Sequence, residues 1–76
     1  MEEQMEIGGA VAALRNGKKV ARAGWNGKNM HLEMHDGHPE LGGWRSFVVI
    51  KDATDMRVPW NASQADLLAD DWVTVP

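Results

Sequence analysis

A chain of 76 residues without cysteine is long enough for one small domain, and neither a disulfide nor a thiolate–zinc site can stabilise it. Its net charge of −3 argues against DNA as the main partner, because DNA binding requires many lysine and arginine contacts to phosphates. No apolar run approaches the ~20 residues of a membrane helix and no export leader opens the chain, so we expect a cytoplasmic protein that does not enter membranes.

The start of the chain predicts a loose tail followed by a helix. Residues 1–6 are polar and acidic, which favours a disordered segment. From Ile7 the apolar residues recur at helical spacing and fall on one stripe, formed by Ala10, Val11 and Leu14. Asn16-Gly17 supplies the left-handed backbone conformation that commonly ends a helix.

Two strands joined by a hairpin are predicted next. Residues 18–24 are predicted to form a strand centred on Val20, and Asn26-Gly27 is a typical hairpin turn. Apolar and polar residues alternate through residues 30–35, which predicts a half-buried strand with Met30, Leu32 and Met34 on the core side.

The second half of the chain predicts a loop, two strands, a helix and a closing strand. Residues 36–43 are rich in glycine and form the predicted loop, and the apolar residues 46–51 are the best candidate for a buried strand. Residues 56–58 are predicted to form a short strand, residues 62–70 a helix with Leu67 and Leu68 inward, and residues 72–75 the last strand. This order predicts an α+β fold, a single domain in which a small antiparallel sheet carries two short helices.

The histidines are the first candidate site. On a strand, His31, Glu33 and His35 share one face, and two imidazoles with a carboxylate are a possible set of ligands for a divalent metal. The spacing matches no specific metal signature, however, and a solvated outer sheet face explains the same pattern. We therefore predict neither a metal nor another cofactor.

A second candidate site lies at the start of the second helix. Ser63 and Asp66 have the spacing of a capping box, in which each residue accepts a hydrogen bond from the amide of the other. Trp60 precedes this helix, so an aromatic face and amide N–H groups are expected close together, a combination that suits a base and a phosphate. Asp66 either accepts hydrogen bonds from ribose hydroxyls or serves the cap alone, and both roles remain open at this stage.

Four tryptophans are many for so short a chain, and most are expected in the core. Trp72 on the last strand is predicted to be core or interface, and Trp44 suits either environment. Trp25 and Trp60 sit where the chain changes direction, and such positions often expose one ring face on which a base can stack.

Basic residues offer a further possibility for binding an anion. Lys18, Lys19 and Arg22 cluster near the first strand, while Lys28, Arg45 and Arg57 lie on later elements. Most are expected on a solvated face, and one or two would pair with a pyrophosphate if an interface gathered them. The sequence contains no Walker loop, dinucleotide-binding glycine motif or cysteine nucleophile, so we do not predict an enzyme.

Two long blocks of the sequence resemble a known family. GKKVARAGWNGKNM and VPWNASQADLLADDWVTV are similar to the conserved blocks of the Thoeris anti-defense 2 family of phage and prophage proteins, and the resemblance extends from about Ile7 to Val75. It implies a protein that binds a cyclic ADP-ribose-type immune signal (glycocyclic ADP-ribose) and sequesters it without cleavage. It also implies a homotetramer of α+β protomers with ligand pockets between protomers, and in some members a separate site for cyclic di- or trinucleotides.

The resemblance also implies a set of ligand-binding residues at the matching positions. From the first block these are Trp25, Asn26 and Met30, and from the second they are Trp60, Ala62, Ser63, Gln64 and Asp66. The chain departs from the family pattern at His31 and Glu33, where relatives often carry an aromatic residue, and in a shorter segment 36–43. These departures bear on the preferred ligand more than on the fold.

Size alone favours a homo-oligomer, because a small domain without covalent crosslinks gains stability by burying surface between copies. Two alternatives to sequestration remain open. One is a structural or protein-interaction module whose tryptophans bury protein surface. The other is an enzyme that cleaves the same signal with Asp66 or Asp70 as the base.

Overall fold

A computed structural model of the chain describes residues 3–25, 29–37 and 46–76. Helix α1 spans Ile7–Arg15 and helix α2 spans Gln64–Leu68. The strands are β1 (Lys19–Arg22), β2 (His31–His35), β3 (Phe47–Lys51), β4 (Arg57–Pro59) and β5 (Trp72–Val75). They form one five-stranded sheet in the order β4-β3-β2-β1-β5, and every neighbouring pair is antiparallel. The predicted α+β fold is confirmed.

Helix α1 covers one face of the sheet and forms the core with it. Ala10, Ala13 and Leu14 are buried on the inner side of the helix, which confirms Ala10 and Leu14 of the predicted stripe, whereas Val11 is only partly buried. The sheet contributes Val20, Leu32 and Trp72, all fully buried. Gly17 adopts φ +80 directly after the helix, which confirms the predicted left-handed stop.

The N-terminal segment is attached to the sheet at Met5, in contrast to the predicted loose tail. The Met5 amide donates to the Trp72 carbonyl at 2.7 Å, and the Trp72 amide donates to the Met5 carbonyl at 3.0 Å. Gly9 leaves room for the Met5 side chain, since a Cβ at position 9 would lie 3.0 Å from the Met5 Cβ. At Met5 the chain is therefore held to the sheet by backbone pairing, which the polar composition of residues 1–6 does not reveal.

The sheet face opposite α1 is less solvated than the alternating pattern of β2 predicted. His31 pairs in register with Lys51 on β3, and their exposed fractions are only 7% and 8%. The prediction of a solvated outer face was therefore wrong for His31. The reason is that each of these side chains finds polar partners on neighbouring segments, which compensate for its removal from water.

Helix α2 is shorter than the predicted residues 62–70, and its leucines do not point inward. Leu67 is 41% and Leu68 81% exposed, which contradicts the prediction. The inward position in this helix is taken by Asp66, whose carboxylate bonds to the cap and to Arg22 on β1. The chain then leaves the helical conformation at Ala69, where ψ is 151°, before a second turn can bury an apolar stripe.

Several predictions concern residues outside those described. These are the Asn26-Gly27 turn, Lys28, Trp44, Arg45 and most of the loop at residues 36–43. Among the helices that are described, none has the length and apolar character needed to cross a membrane.

Candidate functional site

Three tryptophans form a cluster at one end of the sheet. The Trp25 ring meets the Trp72 ring edge-on, with centroids 5.5 Å apart and planes at 78°. Trp60 meets Trp72 in the same manner, at 5.8 Å and 85°. Trp72 is fully buried, which confirms its predicted core position, whereas Trp25 and Trp60 are only partly buried. The edge-on contacts fix the orientation of the two outer rings and leave part of each accessible to a ligand.

Asp66 lies next to this cluster and forms the predicted capping box with Ser63. The Asp66 amide donates to Ser63 Oγ at 3.1 Å, and the Ser63 amide donates to Asp66 Oδ2 at 3.3 Å. The Trp72 indole Nε1 donates to the Asp66 backbone carbonyl at 3.1 Å, which ties the cap to the tryptophan cluster. The capping role predicted for these two residues is therefore confirmed.

Arg22 on β1 joins the cap to the start of β5. Its Nη1 donates to Asp66 Oδ1 at 3.1 Å and its Nε donates to Asp71 Oδ1 at 2.9 Å. The hydrogen bonds that Arg22 donates to Asp71 and Asp66 raise its pKa. Burial by itself would raise the pKa of Asp66, but the Ser63 amide and the Arg22 guanidinium outweigh it and lower that pKa. Asp66 is consequently an ionised hydrogen-bond acceptor at neutral pH.

A cleft of about 840 Å³ runs over the sheet face opposite α1. Trp25 and Met30, two of the residues implied by the family resemblance, lie in its wall. Its charged and polar lining residues are Lys19, Arg22, Asn29, His31, Lys51 and Asp55. The volume falls within the ~300–1,000 Å³ typical of small-ligand pockets, and the lining combines an indole with three basic side chains.

His31 and Lys51 are held at one point of the cleft by the backbone of Asn29. His31 Nδ1 donates to the Asn29 carbonyl at 2.9 Å, and Lys51 Nζ donates to the same oxygen at 3.4 Å. His31 Nε2 lies 3.2 Å from Glu33 Oε1, so both ring nitrogens face oxygen acceptors. The ring can donate to both acceptors only when each nitrogen carries a proton.

Glu33 is the centre of a polar network on the same sheet face. Besides His31, its carboxylate is contacted by His35 Nε2 at 3.1 Å and by Arg57 Nε at 3.0 Å. Burial would raise the pKa of Glu33, but the hydrogen bonds from Arg57, His35 and His31 outweigh it and lower this pKa to about 2. Three side chains thus contact the Glu33 carboxylate. Among residues 3–25, 29–37 and 46–76, no group of three metal-binding side chains occurs.

The residues implied by the resemblance fall into two neighbouring groups. Trp25 and Met30 line the cleft, whereas Trp60, Ser63 and Asp66 lie around Trp72 and the start of α2 and are not part of the cleft wall. Ala62 and Gln64 are exposed beside the cap, and Asn26 lies outside the described residues. Arg22 connects the two groups, because it lines the cleft and binds Asp66.

Sequence reasoning missed two residues of this site. The sequence pattern groups Arg22 with basic residues that are mostly expected on a solvated face. It shows Lys51 only as the last residue of the strand predicted for residues 46–51. Arg22 contacts Asp66 and Asp71, which lie 44 and 49 positions further along the chain. Local patterns therefore contain no signal for these contacts. For Lys51, the available signal was a lysine that continues an apolar strand, a position at which a charged side chain needs a specific partner.

Comparisons with known proteins match the chain to one family. Residues 5–75 match the family model of the Thoeris anti-defense 2-like domain. The chain is also similar to Thoeris anti-defense 2 of Bacillus phage SP01, with 33% identity over 88 residues, covering 95% of this chain and 96% of that protein. The match includes every element of the fold and both groups of candidate residues.

Proposed function

Because this chain belongs to the Thoeris anti-defense 2-like family, over residues 5–75, we propose that it is a phage anti-defence protein that binds and sequesters an immune signal. The signal is a cyclic ADP-ribose-type nucleotide such as glycocyclic ADP-ribose, and it is held in the host cytoplasm without being cleaved. Sequestration keeps the signal from its effector, so the protein has to bind the signal and does not have to catalyse a reaction.

The observation that carries this proposal is the position of Trp25 at the wall of a basic cleft. A cyclic ADP-ribose-type signal has a purine face and a pyrophosphate, and it requires an aromatic surface and cations within one site. Stacking on an exposed indole contributes about 1–3 kcal/mol per base. The edge-on contact with Trp72 holds the Trp25 ring in place before the ligand arrives, which reduces the ordering cost of binding.

The capped start of α2 supplies the second half of the proposed site. Asp66, ionised and oriented by Arg22, accepts hydrogen bonds from ribose hydroxyls. The cap satisfies the Asp66 amide, and among the described residues no acceptor faces the amides of Gln64 and Ala65 in the same turn. Trp60 offers a further ring face beside this turn.

The low basicity of Asp66 supports sequestration over cleavage. An enzyme that cleaves the signal would use Asp66 or Asp70 as a base, and a general base works best with a pKa near the working pH. Burial raises the pKa of Asp66, but the bonds from Ser63 and Arg22 more than offset it, so the net shift lowers this pKa, away from neutrality. Asp66 therefore suits a role as an acceptor better than a role as a base.

We also propose that the binding unit is a homotetramer with pockets between protomers. Leu67 and Leu68 are exposed on α2 next to the cap, and Met56 and Val58 are exposed on and beside the edge strand β4. A second copy that covers the α2 leucines would also wall in Trp60, which gives so small a chain an enclosed pocket. Cyclic di- or trinucleotides are candidates for a separate site in the same assembly.

The proposal is tested by loading the protein with cyclic ADP-ribose or glycocyclic ADP-ribose, removing free nucleotide, denaturing by heat and analysing the supernatant by mass spectrometry. Release of the intact nucleotide is expected. A shortened or linearised product would show an enzyme, and absence of uptake would favour the protein-interaction module.

Trp25→Ala should weaken uptake in calorimetry by about tenfold or more, with Trp25→Phe retaining most of it because a smaller aromatic face remains. Trp60→Ala should also weaken uptake without changing the native mass. If both alanine variants bind like the wild type, the assignment of the site is wrong.

A further inference from the structure

Lys51 is a buried cation whose ammonium group reaches the cleft. It ends β3, its residue is 8% exposed, and it lines the cleft together with His31. Its Nζ lies 3.4 Å from the Asn29 carbonyl oxygen and 2.8 Å from Asp55 Oδ1. The long bond to Asn29 is weak, so the carboxylate of Asp55 is its main partner among the described residues.

The cleft is basic although the whole chain is acidic. Three cations line it, Lys19, Arg22 and Lys51, against one carboxylate, Asp55, in the described part of the wall. Arg22 is already bonded to Asp66 and Asp71, which leaves Lys51 as the buried cation of the cleft. Since Asp66 and Asp71 already offset the charge of Arg22, Lys51 and Lys19 are the cations that the cleft wall offers to an anionic ligand.

Asp55 contacts Lys51 from the rim of the cleft and is poorly buried. Its side chain is 80% exposed, and its backbone adopts φ +67, a conformation that few residues other than glycine populate. The turn that holds it is fixed by Asp52, whose Oδ1 accepts from the Thr54 amide at 2.8 Å and from the Met56 amide at 3.1 Å. Because the Asp55 side chain is largely in water, its carboxylate regains hydration when it leaves the buried ammonium, so an anionic ligand can take its place.

We propose that Lys51 is the phosphate-binding residue of the cleft, and that the Asp55 carboxylate occupies it until a phosphate oxygen of the ligand takes its place. This inference rests on the proposed function for the identity of the ligand, a nucleotide with a pyrophosphate. It adds the residue that binds the phosphate and a competitor within the chain that limits affinity. His31 lies beside Lys51 on the same Asn29 carbonyl, and its two ring nitrogens are already engaged by that carbonyl and by Glu33.

Calorimetric titration with cyclic ADP-ribose and with inorganic pyrophosphate tests the inference in five variants, four single ones and the double variant of Lys51 and Asp55. Lys51→Met keeps the buried apolar stem and removes the charge, and Asp55→Asn removes the competing charge with a residue that tolerates positive φ. Arg15→Met and Asp36→Asn are the matched controls, because both positions are exposed and neither lines the cleft. Circular dichroism confirms that each variant is folded.

We expect Lys51→Met to weaken the binding of both probes by about tenfold or more, since it removes a charge-assisted hydrogen bond. Asp55→Asn should tighten both by about two- to fivefold, the range of an exposed ion pair. The double variant should bind like Lys51→Met alone, because Asp55 acts only through Lys51. The two controls should bind like the wild type.

The outcomes separate this inference from the proposed function. Wild-type binding of cyclic ADP-ribose that is unchanged by Lys51→Met and Asp55→Asn overturns the inference and leaves sequestration intact. Lys51-dependent binding of pyrophosphate without any binding of cyclic ADP-ribose supports the phosphate site and overturns the proposed ligand. A gain from Asp55→Asn that persists in the Lys51→Met background overturns the exchange between the carboxylate and phosphate.

Discussion

Replacing Glu33 by glutamine should destabilise the protein at neutral pH and have little effect in acid. The carboxylate accepts hydrogen bonds from His31, His35 and Arg57, and its pKa is lowered from 4.5 to about 2. A lowered pKa means that folding favours the ionised form. The resulting stability is therefore fully present above the unfolded-state pKa and is lost as the pH falls toward 2.

The magnitude follows from the size of the shift. A difference of about 2.5 pKa units corresponds to up to about 3 kcal/mol at pH 7, at 1.36 kcal/mol per unit. The Glu33 side chain is 21% exposed and Arg57 is more exposed, so solvent screening reduces this upper value. A chain of this length has a total stability of roughly 4–11 kcal/mol, so the loss is a large fraction of it.

Urea denaturation followed by tryptophan fluorescence at pH 7, 5, 4 and 3 measures the effect. The unfolding free energies of wild type and Glu33→Gln should differ most at pH 7, and the difference should shrink below about pH 4.5 and vanish only as the pH approaches 2. Glu6→Gln is the matched control, because Glu6 is exposed and its side chain makes no cap hydrogen bond. A difference between wild type and Glu33→Gln that is the same at pH 7 and pH 3 would refute the reasoning, since it would show that the charge of Glu33 is not what stabilises the fold.

Three further variants probe the cap, the core and the assembly. Ser63→Ala removes one half of the capping box and should lower the unfolding free energy by about 1 kcal/mol in urea titrations, and an unchanged midpoint would contradict the role of the cap. Trp72→Ala should cost about 3–5 kcal/mol and leave much of the protein unfolded by circular dichroism, whereas a wild-type melting curve would contradict its position at the centre of the core. Leu68→Glu places a charge on the exposed face of α2 and should lower the native mass measured by light scattering, and a mass unchanged at micromolar concentration would exclude this face from the assembly.

The sequence predicted the fold well because its signals are local. The alternation in β2, the glycine after α1 and the capping box before α2 each depend on residues within a few positions of one another. Such signals report backbone conformation directly, and the structure contains each of these elements close to its predicted place. The same reasoning placed Trp72 in the core from its position on the closing strand.

Two of the errors, the inward leucines of α2 and the solvated face of β2, came from applying helix and strand periodicity where polar contacts decide the orientation of side chains. In α2, an apolar pair suggested an inward face, but Asp66 takes that position because Arg22 and the cap bind its carboxylate. In β2, an alternating pattern suggested a solvated face, but His31 is buried beside Lys51. Both contacts join residues that are distant in sequence, so one sequence offers no local signal for them.

The contacts of Asp66 confirm its capping role and are compatible with the ligand-binding role that the sequence left open beside it. Oδ1 accepts from Arg22 and Oδ2 accepts from the Ser63 amide, which leaves acceptor capacity on each oxygen, because a carboxylate has about four acceptor positions. The cap therefore orients the carboxylate and still allows it to bind a ribose hydroxyl. An ionised carboxylate repels phosphate, so the phosphates of the proposed ligand must lie toward the cations of the cleft, on the Trp25 side of Arg22. In the proposed site, the ligand is therefore expected to lie with its ribose at α2 and its pyrophosphate at Lys51.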